Sequence, residues 1–213
     1  MIQIIRKSNL EEWANSVTHG LGLLFSFIGF WFLIWKSYLS QDLWQLFSAF
    51  VFGFTLLFLY SASTTYHIVR KGKWKRWLQI MDHIGIFLLI AGTYTPFTLL
   101  LFNDFGGWTM FWFIWSVAII GIFYKIFLIN KYPRFSTFLY LLMGWTIMVK
   151  IDIILWSMPS GATILLLTGG FFYTAGVVFY IWEKLKFSHA IWHLFVLAGS
   201  LCHYFAVYFY VIH

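Results

Sequence analysis

Long runs of hydrophobic residues, separated by short polar gaps, dominate the pattern along this chain. A helix needs about 20 mostly apolar residues to cross a bilayer, and seven stretches reach that length. They cover residues 14–35, 43–68, 78–102, 108–129, 135–156, 162–182 and 189–212. Within them, apolar and polar positions do not alternate as they would in membrane β-strands. The pattern therefore predicts an all-α fold, a polytopic bundle of seven transmembrane helices.

The gaps between the stretches carry turn and charge signals. The gap after the second stretch contains Arg70-Lys71-Gly72-Lys73, and the gap after the fifth contains Met158-Pro159-Ser160-Gly161. Loops this short place consecutive helices side by side and antiparallel. Because no repeat and no segment long enough for a soluble domain is evident, we expect a single domain over residues 1–213.

Basic residues are distributed unevenly between the two sides of the predicted bundle. All but Lys36 and Lys150 of the 14 Lys and Arg residues lie on the side where the chain begins. The positive-inside rule assigns the side rich in Lys and Arg to the cytoplasm. It therefore predicts a cytoplasmic N-terminus and an extracellular C-terminus, as an odd number of spans requires.

Composition agrees with a membrane protein and excludes several other classes. Hydrophobic residues make up 62% of the chain and charged residues 10%, with a mean hydropathy of +0.82, whereas soluble domains carry roughly 25% charged residues. The net charge of +7 comes from short clusters between apolar runs, so we expect no nucleic-acid partner. Cys202 is the only cysteine, so a transition metal would need His and carboxylate ligands.

Several polar side chains lie inside the predicted spans, where such groups are costly and usually functional. With the predicted orientation, all of them fall in or near the cytoplasmic leaflet. Orientation was derived from Lys and Arg alone, so this convergence is an independent result. The residues are His19, Ser63, His67, Asp82, His83, His189 and His193.

Spacing predicts a metal site among these residues. His189 and His193 are four residues apart and share one helix face, and His67 would complete a set of three nitrogen ligands. Three protein ligands with an open fourth position are typical of catalytic zinc. Asp82 could hold or deprotonate a water molecule there, and Ser63, one turn from His67, could orient it.

Each residue also has a simpler explanation when taken alone. Two His at a helix end are often interfacial. Ser63 could donate back to a carbonyl of its own helix, and Asp82 could pair with Lys75 or Arg76.

Two further histidines have less defined roles. His83 points about 100° away from Asp82 on the same helix, so we expect it to pack or to lie at the interface. His203, deeper in the last span, would serve either as a buried polar contact or as a route for protons or substrate.

Three motifs resemble the signatures of the hemolysin III branch of the progestin and adipoQ receptor family, the bacterial relatives of the adiponectin receptors. The resemblance covers nearly the whole chain. The motifs are Glu12-Trp-Ala-Asn15-Ser-Val-Thr-His19, Ser63-Thr-Thr-Tyr-His67 with Asp82-His-Ile-Gly85, and His189-Ala-Ile-Trp-His193.

This resemblance implies seven spans with a cytoplasmic N-terminus, and zinc as the cofactor. It also implies a wider superfamily that includes alkaline ceramidases, thought to be metal-dependent hydrolases of lipid amides or esters, and a part in membrane lipid homeostasis. The residues that would match the family's site are His67, His189 and His193 as zinc ligands, Asp82 as the water-holding carboxylate, and Ser63 as the serine.

Other functions stay open at this point. The metal could be structural in a sensor of membrane state, or the chain could be haemolytic, although a secreted pore former should be soluble before insertion. Passive transport lacks the expected pairs of broken helices, Pro96 being the only candidate kink. Glu12, Asn15 and His19 could gate the site from the cytoplasm or simply cap and pack the first span. Membrane lipids are the expected substrate or ligand.

Overall fold

The computed structural model describes residues 8–128, 133–182 and 184–213. These residues form helices and connecting turns, with no strand in the described ranges. Three short segments are not α-helical: a π-helix at Phe97–Leu101 and 3-10 helices at Asn103–Phe105 and Thr146–Lys150. The α-helices are α1 (Asn9–Leu39), α2 (Leu43–Ile68), α3 (Lys75–Pro96), α4 (Gly107–Leu128), α5 (Pro133–Trp145), α6 (Ile151–Ser157), α7 (Ser160–Ile181) and α8 (Ser188–Tyr210).

Seven helical segments of the described chain are long and apolar enough to cross a membrane, which confirms the predicted seven-helix fold. Five of them are single α-helices, the third is Lys75–Leu101, and the fifth is Phe135–Trp156. The first helix starts at Asn9 rather than residue 14, and the third at Lys75 rather than residue 78. The predicted end of the fourth span at residue 129 lies outside the described residues.

Capping interactions fix the start of α1 and tie it to α8. The Ser8 side chain accepts from Glu11 N (3.2 Å), and Glu11 Oε2 accepts from Ser8 N (2.8 Å), which satisfies two backbone donors at the helix start. Glu11 Oε1 also accepts from the backbone N–H of Phe187 (3.2 Å). Phe187 adopts a left-handed conformation (φ 58°) immediately before α8. The beginnings of α1 and α8 therefore meet.

Two membrane-spanning segments are interrupted at sites that contact each other. After Pro96, which ends α3, the chain continues as a π-helix, a local irregularity that often accompanies functional sites. The fifth span changes to a 3-10 helix after Trp145. Tyr94 Oη joins the two, since its single hydrogen is shared between the carbonyls of Met143 (2.9 Å) and Gly144 (2.8 Å) and its oxygen accepts from Ile147 N (2.7 Å).

Consecutive helices pack in pairs, and α1 also contacts α8. The third span is the most enclosed of the seven, with Phe87, Ala91 and Phe97 fully buried. The outward faces instead carry large apolar side chains such as Trp31, Phe113 and Phe171, as expected where the surrounding solvent is lipid. The contact between the first and last spans positions the functional residues described next.

Candidate metal centre

Three histidines from two helices converge at one end of the bundle. His67 lies in the last turn of α2, and His189 and His193 lie in the first two turns of α8. One ring nitrogen of each lies within 4.8 Å of the others. Their ring centroids are 5.1 Å apart for His67–His189 and His67–His193 and 4.6 Å for His189–His193. The described residues contain one such group of potential metal ligands, and it is the predicted one.

Residues of α1 contact the Nδ1 atoms of two of these imidazoles, those of His67 and His193. His67 Nδ1 donates to Glu12 Oε2 at 2.8 Å. His193 Nδ1 lies 3.2 Å from the carbonyl oxygen of Asn15 and 3.1 Å from Thr18 Oγ1. Because carboxylate and carbonyl oxygens only accept, Nδ1 carries the proton in both rings. Nε2 is then the nitrogen suited to bind a metal, and this outer contact is typical of metal-bound His.

The residues present fit a zinc ion. His67 Nε2 is buried and makes no hydrogen bond to any described residue, which would be costly for a polar atom unless it bound something else. A set of three imidazoles is also a common zinc ligand set. The three rings could therefore hold a metal ion through three protein nitrogens.

His19 belongs to the site without joining the triad. Its ring stacks on that of His193, with centroids 3.4 Å apart and an interplanar angle of 14°. Tyr60 contacts the His19 ring edge-on, with ring centroids 5.1 Å apart. The ring is buried, and neither of its nitrogens makes a hydrogen bond to a described residue. His19 thus buttresses His193 and is not one of the three converging ligands.

Ser63 is completely buried one turn before His67. Its Oγ makes no hydrogen bond to a described residue, so the alternative that it bonds back to its own helix is wrong. The hydroxyl is therefore a polar group inside the bundle whose hydrogen-bonding partner is not one of the described side chains or carbonyls.

Asp82 is buried on α3 and does not belong to the triad of converging ligands. Its Oδ2 lies 3.9 Å from His83 Nδ1, and no ion pair joins it to Lys75 or Arg76, which excludes the alternative raised for it. Lys75 Nζ instead donates to the carbonyl of Tyr66 and lies 3.8 Å from the centre of that ring. The carboxylate thus has no direct cationic partner among the described Lys and Arg residues.

The remaining histidines make structural contacts. His83 Nδ1 donates to the carbonyl of Gln79 (2.7 Å), in agreement with a packing role. His203 Nε2 donates to the carbonyl of Leu166 (3.0 Å) and so joins α8 to α7. That is the buried polar contact expected as one of its two roles.

Lys125 is a polar residue of the bundle interior that the sequence analysis missed. The sequence predicts for it only a position on the side where the chain begins, as one of the basic residues there, but its side chain is only 1% exposed. Its position in the sequence indicates burial, because Ile114, Ala118 and Gly121 precede it at helical spacing on the buried face of α4. A lysine that continues such a face is directed into the bundle.

Known proteins similar to this chain cover almost its whole length. A family model described as "Haemolysin-III related" matches residues 7–204, a range that contains every candidate site residue. The chain is 42% identical over 202 residues to the "Hemolysin-3 homolog" of Bacillus subtilis (strain 168), with 95% of both chains covered. "Hemolysin-3" of Bacillus cereus is also 42% identical, over 95% of this chain and 92% of that one.

A human protein is also similar to this chain, with a lower sequence identity. "Monocyte to macrophage differentiation factor" of Homo sapiens is 32% identical over 213 residues, which cover 94% of this chain and 84% of the human protein. The similarity therefore extends beyond bacteria and runs through all seven spans.

Proposed function

The chain belongs to the haemolysin-III-related family, and we propose that it is an integral membrane zinc protein that hydrolyses an amide or ester bond of a membrane lipid. In this role it would contribute to membrane lipid homeostasis. The observation that carries the proposal is the convergence of His67, His189 and His193, with Glu12 and the Asn15 carbonyl holding two of the rings from behind.

Zinc bound by three His supplies a Lewis acid with an open position, which activates water and polarises a carbonyl. The protein supplies orientation and proton transfer. Asp82, which is buried on α3 and forms no ion pair with a described Lys or Arg, would accept a proton from water at a carboxylate oxygen. Ser63 Oγ, whose hydrogen-bonding capacity no described residue uses, would orient that water or the substrate carbonyl.

The chemical balance of this reaction needs no further reagent. The water oxygen forms a bond to the carbonyl carbon, and the carbon–nitrogen or carbon–oxygen bond of the lipid breaks. The proton taken by Asp82 passes to the departing amine or alcohol, and the acyl chain leaves as a carboxylic acid.

We place the site on the cytoplasmic side of the membrane. His67 is followed within a few residues by the basic turn that contains Arg70, Lys71 and Lys73, all of which are exposed. A turn of this charge favours the cytoplasmic face. At this depth a scissile bond just below a lipid headgroup would come level with the three His.

The names of the bacterial relatives refer to lysis of cells, but the surface of this chain favours a protein that resides in the membrane. Trp31 and Phe113 are more than half exposed on the outward faces, so the folded bundle requires lipid around it. A secreted pore former would need a soluble form before insertion.

The test is lipid hydrolysis by purified protein with Asp82→Asn as the paired variant. Protein in detergent micelles is incubated with N-acyl and ester lipids, and released fatty acid is measured by mass spectrometry beside metal content. We expect Asp82→Asn to keep its metal and to lose at least about 100-fold in turnover. Full turnover in Asp82→Asn, or no hydrolysis by metal-loaded wild type, would contradict the proposal and favour a sensor with structural zinc.

A further inference from the structure

Lys125 places a positive charge in the interior of the bundle. It lies on α4, is 1% exposed, and follows the buried positions Ala118 and Gly121 on the same helix face. A charged side chain in this setting is costly unless an opposite charge offsets it, and inside a membrane such residues are usually functional.

The direct contacts of Lys125 do not offset its charge. Nζ donates to Ser136 Oγ at 2.6 Å, and a hydroxyl is a neutral acceptor. The Tyr140 ring centroid lies 5.8 Å away, near the limit of a useful cation–π contact. No carboxylate of the described residues comes within 4.0 Å of Nζ to form an ion pair. Any described carboxylate that compensates this charge therefore acts over a longer distance.

Among the described residues, Asp82 is the buried carboxylate, and its negative charge acts on Lys125. It lies on α3, which packs against α4, and it too lacks an ion pair with any described Lys or Arg. Tyr140 contacts residues of both helices. Its hydroxyl donates to the carbonyl of His83, the residue after Asp82 (3.0 Å), and its ring faces Lys125. Two groups of opposite charge, neither of them in an ion pair with a described Lys, Arg, Asp or Glu, thus lie in adjacent helices.

We propose that Lys125 is the buried counter-charge of Asp82, a positioning residue that offsets the carboxylate from a distance. A direct ion pair would engage the carboxylate oxygens with the lysine hydrogens. Separation lets the charges compensate each other and leaves those oxygens able to bind water. The pairing of the two charges does not depend on an enzymatic activity. Its effect on catalysis rests on the function proposed for Asp82.

Lys75 is the alternative partner and provides the matched control. It also lies within electrostatic reach of Asp82. However, it is partly exposed, and its ammonium is engaged by the carbonyl and ring of Tyr66. Water and the interface can therefore stabilise its charge without Asp82, which is not true of Lys125.

The experiment is a double-mutant cycle on thermal unfolding of the full chain in detergent, with Lys125→Met, Asp82→Asn and the double variant. We expect Lys125→Met to lower the melting temperature by about 5 °C or more, because it leaves Asp82 uncompensated. Asp82→Asn in the same chain should recover a large part of that loss. The cycle of Lys75→Met with Asp82→Asn should be additive.

Two further results decide the proposal. Lys125→Arg, which keeps the charge, should stay close to the wild-type melting temperature. If Lys125→Met does not accumulate in membranes, the double variant should accumulate better than it does. Additive effects of Lys125→Met and Asp82→Asn, or a double variant no more stable or abundant than Lys125→Met alone, would overturn the pairing. Neither result depends on whether the protein hydrolyses lipids.

Discussion

At the scale of single residues, contacts of α1 with the Nδ1 atoms of His67 and His193 organise the candidate metal site. Glu12 fixes Nδ1 of His67, and the Asn15 carbonyl with Thr18 fixes Nδ1 of His193, while His19 stacks on the latter ring. Such contacts hold a ring in one orientation and one tautomer, and they raise the basicity of the ligating nitrogen. The motif in α1 thus gains a physical role as a support for the ligands.

Glu12 should therefore control metal affinity without binding metal itself. We expect Glu12→Ala to weaken zinc binding by roughly 10- to 100-fold, since His67 would lose the acceptor that orients it. Titration against a chromophoric chelator measures this in purified protein. Glu11→Ala, which removes contacts to Ser8 and Phe187, is the matched control and should affect stability more than affinity. Wild-type affinity in Glu12→Ala would show that the contact does not orient His67.

At the scale of helices, the sequence predicts where each helix lies in the chain better than it predicts which helices contact each other. Hydrophobic length alone defines seven spans, because the bilayer sets how many residues a helix needs. The same signal does not show that the fifth span changes to a 3-10 helix at Thr146, since that change depends on Tyr94 of another helix. Spacing placed His189 and His193 on one face, but contacts of α1 with α8 join residues 175 to 178 positions apart.

Close approach of α3 and α4 supports the region around Lys125 and is open to a direct test. A Cβ at Gly121 would come within 2.3 to 2.6 Å of the buried ring of Phe87. Gly121→Ala should therefore force the helices apart and lower the melting temperature by about 5 °C. Gly144→Ala, where nothing lies within 4 Å, should have little effect. Equal melting temperatures for the two variants would show that α3 and α4 can separate at no cost.

At the scale of the whole molecule, the bundle encloses its polar residues and presents apolar side chains to the membrane. The polar residues of the site come from the ends of α1, α2 and α8 that meet on one side of the bundle. The sequence located this cluster through the polar residues inside the spans and the spacing of His189 and His193. Lys125 was missed because a count of basic residues does not separate buried from exposed ones.

The whole bundle is predicted to lie in the membrane with its N-terminus in the cytoplasm. In a chain with Cys202→Ala, we introduce Lys73→Cys in the turn after α2 and, separately, Asp104→Cys in the turn before α4. Both positions are exposed. A membrane-impermeant maleimide should label Asp104→Cys in intact cells and Lys73→Cys only after permeabilisation, as a cytoplasmic N-terminus requires. The reverse pattern would place the metal centre on the outer side.

Metal analysis of the purified protein shows whether His67, His189 and His193 hold a metal ion. Detergent-purified wild type and His189→Ala/His193→Ala are compared by mass spectrometry of their metal content. We predict about one zinc per wild-type chain and almost none in the double variant, because one remaining imidazole is too few ligands. A folded wild-type protein without stoichiometric metal would contradict the account and leave the three rings as a metal-free histidine cluster.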